Sequence, residues 1–195
     1  MMTLRFERLT TTAALLVALS TAAWAGTTTP HATGTNQNTT LTTRQFIEHA
    51  AIGGMAEVKL GQLAQQKAAS HEVKNFGKRM VDDHSKANDE LKRLASKKTV
   101  TLPKDVDAKH KAVYERLSKL SGEEFDRQFM DTMAKDHQEV VAEFEKAAKS
   151  SDPDVQGFAS RTLPTLHAHL DSAQQIVSSV NGRGEGMTAG RPRVR

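Results

Sequence analysis

The chain contains no cysteine. Disulfide bridges, thiolate metal ligands and a cysteine nucleophile are therefore excluded, and stability must come from packing alone. Strand signals are also missing: there are no alternating β-branched runs and no Asn-Gly hairpin set between two such runs. Beyond the first 25 residues no stretch approaches the roughly 18 uninterrupted apolar residues of a membrane span. A phosphate-binding glycine loop, a nucleophile–base pair and the H-E-x-x-H zinc signature are absent too. These gaps point away from an enzyme and leave an all-α chain.

Charge is unevenly placed. The formal net charge is +4. The first 25 residues and the tail from Asn181 carry all of it, so residues 26–180 are neutral overall. A nucleic-acid partner needs a basic stripe with stacking aromatics, and the central region offers neither. The basic tail, residues 181–195, reads as disordered and is a candidate contact for the cell envelope.

Arg5 and Arg8 precede the apolar run TTAALLVALSTAAWA, which ends in small residues at Ala23 and Ala25. Residues 1–25 therefore read as a secretory signal, cleaved after Ala25 rather than kept as an anchor, and the mature protein as exported to the periplasm or envelope of a bacterium, with no transmembrane helix left. Residues 26–41, rich in Thr, Gly and Asn, read as a flexible linker.

Residues 42–180 carry almost continuous helical pattern. Thr42 or Thr43 caps a first long helix reaching about Ala69, with Leu41 available as a staple. Ser70 caps a second, reaching about Lys98, so the two form a tight antiparallel hairpin. After TVTLPKD a short helix is expected near Asp105–Lys119. Ser121 and Glu124 have capping-box spacing for a third long helix, and Asp152-Pro153 opens a fourth that ends near Val180. Two hairpins joined by one long connection describe a ferritin-like four-helix bundle with a short extra helix in the 2–3 crossover.

The inner faces carry the chemistry. Steps of three and four residues align Gly77, Met80, His84, Ala87 and Leu91 on the second helix. The third long helix aligns Met130, Met133, His137, Val140 and Phe144 in the same way. The first helix places Glu57 in such a stripe, and the fourth places His169. Each helix thus sets one ionisable residue into an apolar or small-residue face. Asp83 and Asp136 flank the two histidines at the stripe edges, repeating an Asp-His pair at an offset of 53 residues. Asp126 also points inward, near a helix end open to water. Counting from the turns puts Glu57 and His84 level, while His169 stands about four residues, or ~6 Å, out of register with His137. Pro164 can bend the fourth helix. Gly53, Gly54 and Gly61 read as close helix contacts.

A buried polar group without a partner costs about 2–7 kcal/mol. Two explanations follow. Glu57, Asp83, His84, Asp136, His137 and His169 form a site for copper, zinc, iron or manganese, with the aspartates as ligands or supports. Alternatively they form a metal-free polar layer in a non-catalytic structural or stress-protective envelope protein. In either case, protonating close imidazoles is expected to loosen the bundle between about pH 5 and 7.

Three stretches, FIEHAAIGGMAEVKLGQLAQQKAASHEVKNFGKRMVDDHSKAN, SGEEFDRQFMDTMAKDHQEVVAEFEKAA and LPTLHAHLDSAQ, resemble the bacterial family called domain of unknown function 4142. The resemblance spans about residues 42–180. It implies a ferritin-like bundle and an exported or outer-membrane location, and it implies no activity. Ferritin-like di-iron sites use Glu-x-x-His, but Val81 and Ala134 stand three residues before His84 and His137. The di-iron pattern is not met.

Overall fold

The computed structural model describes residues 42–188, so the expected signal, the linker, Leu41 and the end of the tail lie outside the described residues. Five helices follow in order: α1 (Thr43–Lys67), α2 (His71–Lys97), α3 (Ala108–Ser118), α4 (Gly122–Ala147) and α5 (Pro153–Thr188). No named strand occurs among the described residues; the one bridge pairs Ala68 with Gly122.

The caps explain most of the boundaries. Thr42 accepts from the Gln45 backbone N–H, and the Gln45 side chain accepts in return from Thr42 N–H, a reciprocal box that opens α1. Ser70 caps α2. Asp107 caps α3, which starts at Ala108, slightly later than the expected start near Asp105. Asp152 accepts from the N–H groups of Asp154 and Val155 at the start of α5. The box expected at α4 does not form. Ser121 makes no side-chain cap bond, and Glu124 instead binds Arg127 and Gln128. The helix opens from a left-handed Gly122, φ +66°, a conformation that glycine adopts without a steric penalty. At the far end α5 runs through Pro164 and past Val180 to Thr188.

Two sets of contacts fix the topology. At one end Asp126 of α4 accepts from the N–H groups of Ala69 and Ser70, at 3.1 and 2.8 Å, tying the α1–α2 turn to the start of α4. At the other end the Lys98 ammonium sits 2.6 Å from Asp152 and 2.8 Å from Asp154, tying the end of α2 to the start of α5. Helices α1 and α5 therefore begin at one end, and α2 and α4 at the other. Helix α2 packs between α1 and α5, and α4 touches both α5 and α1, so every neighbouring pair is antiparallel. The crossover carrying α3 runs the length of the bundle. This is the ferritin-like four-helix arrangement. Helices α1 and α2 approach closely where Gly61 meets Gly77: a Cβ on Gly61 would lie 2.6 Å from the Gly77 carbonyl oxygen. Gly53 differs from the expectation, since a Cβ there would meet nothing within 4 Å.

The core is split in two. Leu60, Phe76, Met80, Phe129, Met133 and Ala173 belong to one apolar cluster. Phe46, Ile47, Leu91, Phe144, Phe158 and Leu166 belong to the other. On each of the four long helices the division falls at the ionisable residue. Glu57, His84, His137 and His169 are all buried and form a polar layer between two dry cores.

Candidate functional site

Three imidazoles meet in that layer, one from each of α2, α4 and α5. Their ring centroids are 5.9 Å apart for His84–His137, 5.3 Å for His84–His169 and 5.4 Å for His137–His169. Each ring offers one nitrogen that lies within 4.8 Å of those of the other two. His169 is a full member despite its offset along the helix. Helical side chains lean toward their own N-termini, so residues on antiparallel α4 and α5 lean toward each other, and this closes the gap in height.

Each ring is held by one nitrogen and has the other unpartnered. His84 Nδ1 lies 2.9 Å from Glu57 Oε2. His137 Nδ1 lies 3.0 Å from the Met133 carbonyl oxygen, which can only accept, so Nδ1 carries the proton. His169 Nε2 lies 3.0 Å from Asp83 Oδ2 and donates to it. The remaining nitrogens, His84 Nε2, His137 Nε2 and His169 Nδ1, are buried without a hydrogen-bond partner, as is Glu57 Oε1. Glu57 Oε1 and His137 Nε2 stand 3.5 Å apart and make no hydrogen bond, since with the proton on Nδ1 both atoms are acceptors. A carboxylate or carbonyl on one imidazole nitrogen, with the other left as a lone pair, is how proteins orient metal-ligating histidines.

Charge follows burial and neighbours. Burial pushes the Glu57 carboxyl up, but His84, His137 and His169 together outweigh it and hold it down at about 2. Burial pushes His84 down; the charge and hydrogen bond of Glu57 outweigh this and raise it above the ordinary imidazole range. Burial lowers His137, with Glu57 only partly opposing. Burial and the nearby His84 charge lower His169 to about 4. At neutral pH the layer thus holds a Glu57 carboxylate and two neutral rings, with Glu57 drawing His84 toward its protonated form. A cation entering among the three nitrogens would displace the His84 proton.

The structure brings Glu57, Asp83, His84, His137 and His169 together and leaves Asp136 aside. Asp136 lines a groove of about 430 Å³ with Lys109, His110 and Arg116, facing α3. It makes no hydrogen bond to the three rings among the described residues and acts on the layer only through its charge, which His84 feels. Burial, reinforced by the Glu57 charge, raises its carboxyl to about 6. Asp126, expected to face inward near water, is buried and caps the α1–α2 turn instead. Periodicity missed a small cavity of about 40 Å³ beside the layer, whose lining includes His49, Gly53, Glu57, His84, Asn88 and Glu143. Its only sequence signal was the small-residue pair Gly53-Gly54 facing Ala87 and Asn88.

Fold and site define a helical bundle built around a buried histidine–carboxylate layer. The chain belongs to the family described as domain of unknown function (DUF4142), whose model matches residues 27–176. It is also similar in fold to a crystal structure of a DUF305 fragment from Deinococcus radiodurans, with a TM-score of 0.62 and 16% identity over 69% of this chain and 94% of that one. No curated protein matches the chain. No described helix is long and apolar enough to cross a membrane.

Proposed function

We propose that this is an exported envelope protein that binds a first-row transition metal through His84 Nε2, His137 Nε2 and His169 Nδ1. Glu57 and Asp83 orient two of the rings, and Glu57 Oε1 stands by as a fourth donor. The observation that carries this reading is the set of three buried imidazole nitrogens without partners, each on a ring whose other nitrogen is already held. Leaving such atoms unpaired is costly, and one cation satisfies the three imidazole nitrogens together. Three imidazoles and a carboxylate suit zinc, copper, iron or manganese, and the Irving–Williams order makes copper the tightest of these. The reading of export rests on Arg5, Arg8 and the apolar run ending at Ala23 and Ala25.

To test it, the mature protein is dialysed against each metal in turn and the bound metal is counted. One equivalent in wild type, lost in the His84→Ala, His137→Ala double variant, is expected. Less than stoichiometric metal in every case would overturn the reading. N-terminal sequencing of protein recovered from the periplasm, expected to begin at Gly26, tests export.

A second reading has its own support. The 2.9 Å Glu57–His84 pair between two apolar clusters also serves to lock helix register without metal. It predicts no thermal shift on adding any of the four metals.

A further inference from the structure

We infer that the cleft between α1 and α4, with His49, Gly53 and Glu143 at its mouth, is the route by which a hydrated divalent cation reaches the buried histidines, and that the Glu143 carboxylate is its first ligand on the way in. This rests on the metal-binding reading above and adds a path and an outer docking group to it.

Two other approaches are filled. Toward one end, the Phe76 ring stands edge-on to His137 and His169, at 6.5 and 6.3 Å, with Met80, Phe129 and Met133 buried behind it. On the α2–α5 side the Asp83 carboxylate is bound to His169 and closes over it. The cavity of about 40 Å³ is different. It touches Glu57 and His84 at its inner wall and His49 and Glu143 at its outer one. It has room for at least one water. Exposure rises outward along it, from 2% for the Glu57 side chain to 25% for Glu143 and 56% for His49.

Its walls suit a cation that must shed water. Glu143 Oε1 is buried without a hydrogen-bond partner, although His49 Nδ1 stands 3.5 Å away. The Asn88 amide oxygen lies against the α1 backbone, so close that a Cβ on Gly54 would fall 2.1 Å from it. Glu143, Asn88 and Glu57 thus place oxygen donors on one cavity, from its outer wall to its inner one. Gly53 keeps the mouth open, because nothing occupies the space its side chain would take. None of Glu143, Asn88 or Gly53 belongs to the proposed ligand set.

A route changes rates and leaves equilibrium alone. Cobalt(II) uptake by the full mature protein is followed by stopped-flow absorbance, and its release by competition with a chelator. Glu143→Gln is expected to slow both about tenfold, through loss of local cation attraction, while the dissociation constant stays within about twofold. Gly53→Leu plugs the mouth with a side chain that favours helix more than glycine does. It should keep or raise the melting temperature and slow both rates at least as much. Unchanged rates in both variants, with cobalt still bound at wild-type affinity, would overturn the route and leave the metal site standing. Absence of cobalt uptake by wild type would overturn both.

Discussion

The same Asp-His dipeptide occurs on α2 and on α4, and the two copies end in different places. His84 and His137 both face the buried layer and both approach Glu57, at 2.9 and 3.5 Å. Their aspartates part company. Asp83 reaches across to α5 and holds His169, whereas Asp136 turns toward α3 and a groove. The neighbours account for the difference. Beside α2, helix α5 supplies an imidazole donor; beside α4, the crossover helix supplies Lys109 and His110. The same dipeptide therefore gives one aspartate that orients the site and one that does not.

Removing the shared carboxylate should have the largest effect. Glu57→Ala leaves His84 buried without its counter-charge, and breaking such a pair costs about 3–5 kcal/mol. Chemical denaturation at pH 7 should show a loss of that size, while Glu57→Gln loses less because the amide oxygen still accepts. Equal losses would mean that the acceptor oxygen alone contributes nothing and that the carboxylate charge carries the whole effect.

The aspartates provide the direct contrast. Asp83→Asn should weaken metal binding about 10–100-fold, the usual cost of removing an orienting carboxylate. Asp136→Asn should leave affinity unchanged. It should instead stabilise the protein at pH 7 by up to about 2 kcal/mol, because burial disfavours the ionised form. An acid raised from 3.8 to about 6 on folding loses stability as pH climbs through that window, so the gain should vanish below about pH 4. Titration calorimetry and denaturation of both variants decide this. Matched effects at the two positions would restore the symmetric site.

Acid should separate the histidines. His169, lowered from 6.5 to about 4, contributes stability that is present above pH 6.5 and lost as pH falls through about 4. That loss is about 3 kcal/mol. His137 is lowered and acts in the same direction. His84, raised, contributes fully below pH 6.5 and partly offsets them. Wild type should therefore melt at lower temperature at pH 4.5 than at pH 7, and His169→Gln should flatten that slope. A pH-independent melting temperature would remove the expectation.

The smallest effect belongs to Lys86, which stands 3.7 Å from Asp83 with its own side chain 76% exposed. Such pairs contribute about 0–1 kcal/mol. Lys86→Ala should leave both metal affinity and stability nearly unchanged, showing that Asp83 acts through His169.

Much of this was readable from the chain alone. Stripes spaced by three and four residues placed Glu57, His84, His137 and His169 on inner faces, since side-chain direction on a helix follows from sequence position. Thr42, Ser70 and Asp152 marked helix starts because their side chains act on nearby backbone N–H groups. Ser121 has the same spacing and makes no such bond, and Asp126 serves a turn more than fifty residues away in sequence. Local pattern does not encode contacts of that range.

The amino-acid sequence by itself determined the helices, the two hairpins and the presence of one ionisable residue on each inner face, because these depend on periodicity and capping within a few residues. Only the tertiary structure decided which imidazole nitrogen is held and which left free, which aspartate meets a histidine, and where a cavity opens. Those outcomes depend on side chains from different helices meeting at distances of 3–6 Å, and the spacing within one helix says nothing about what the next helix brings.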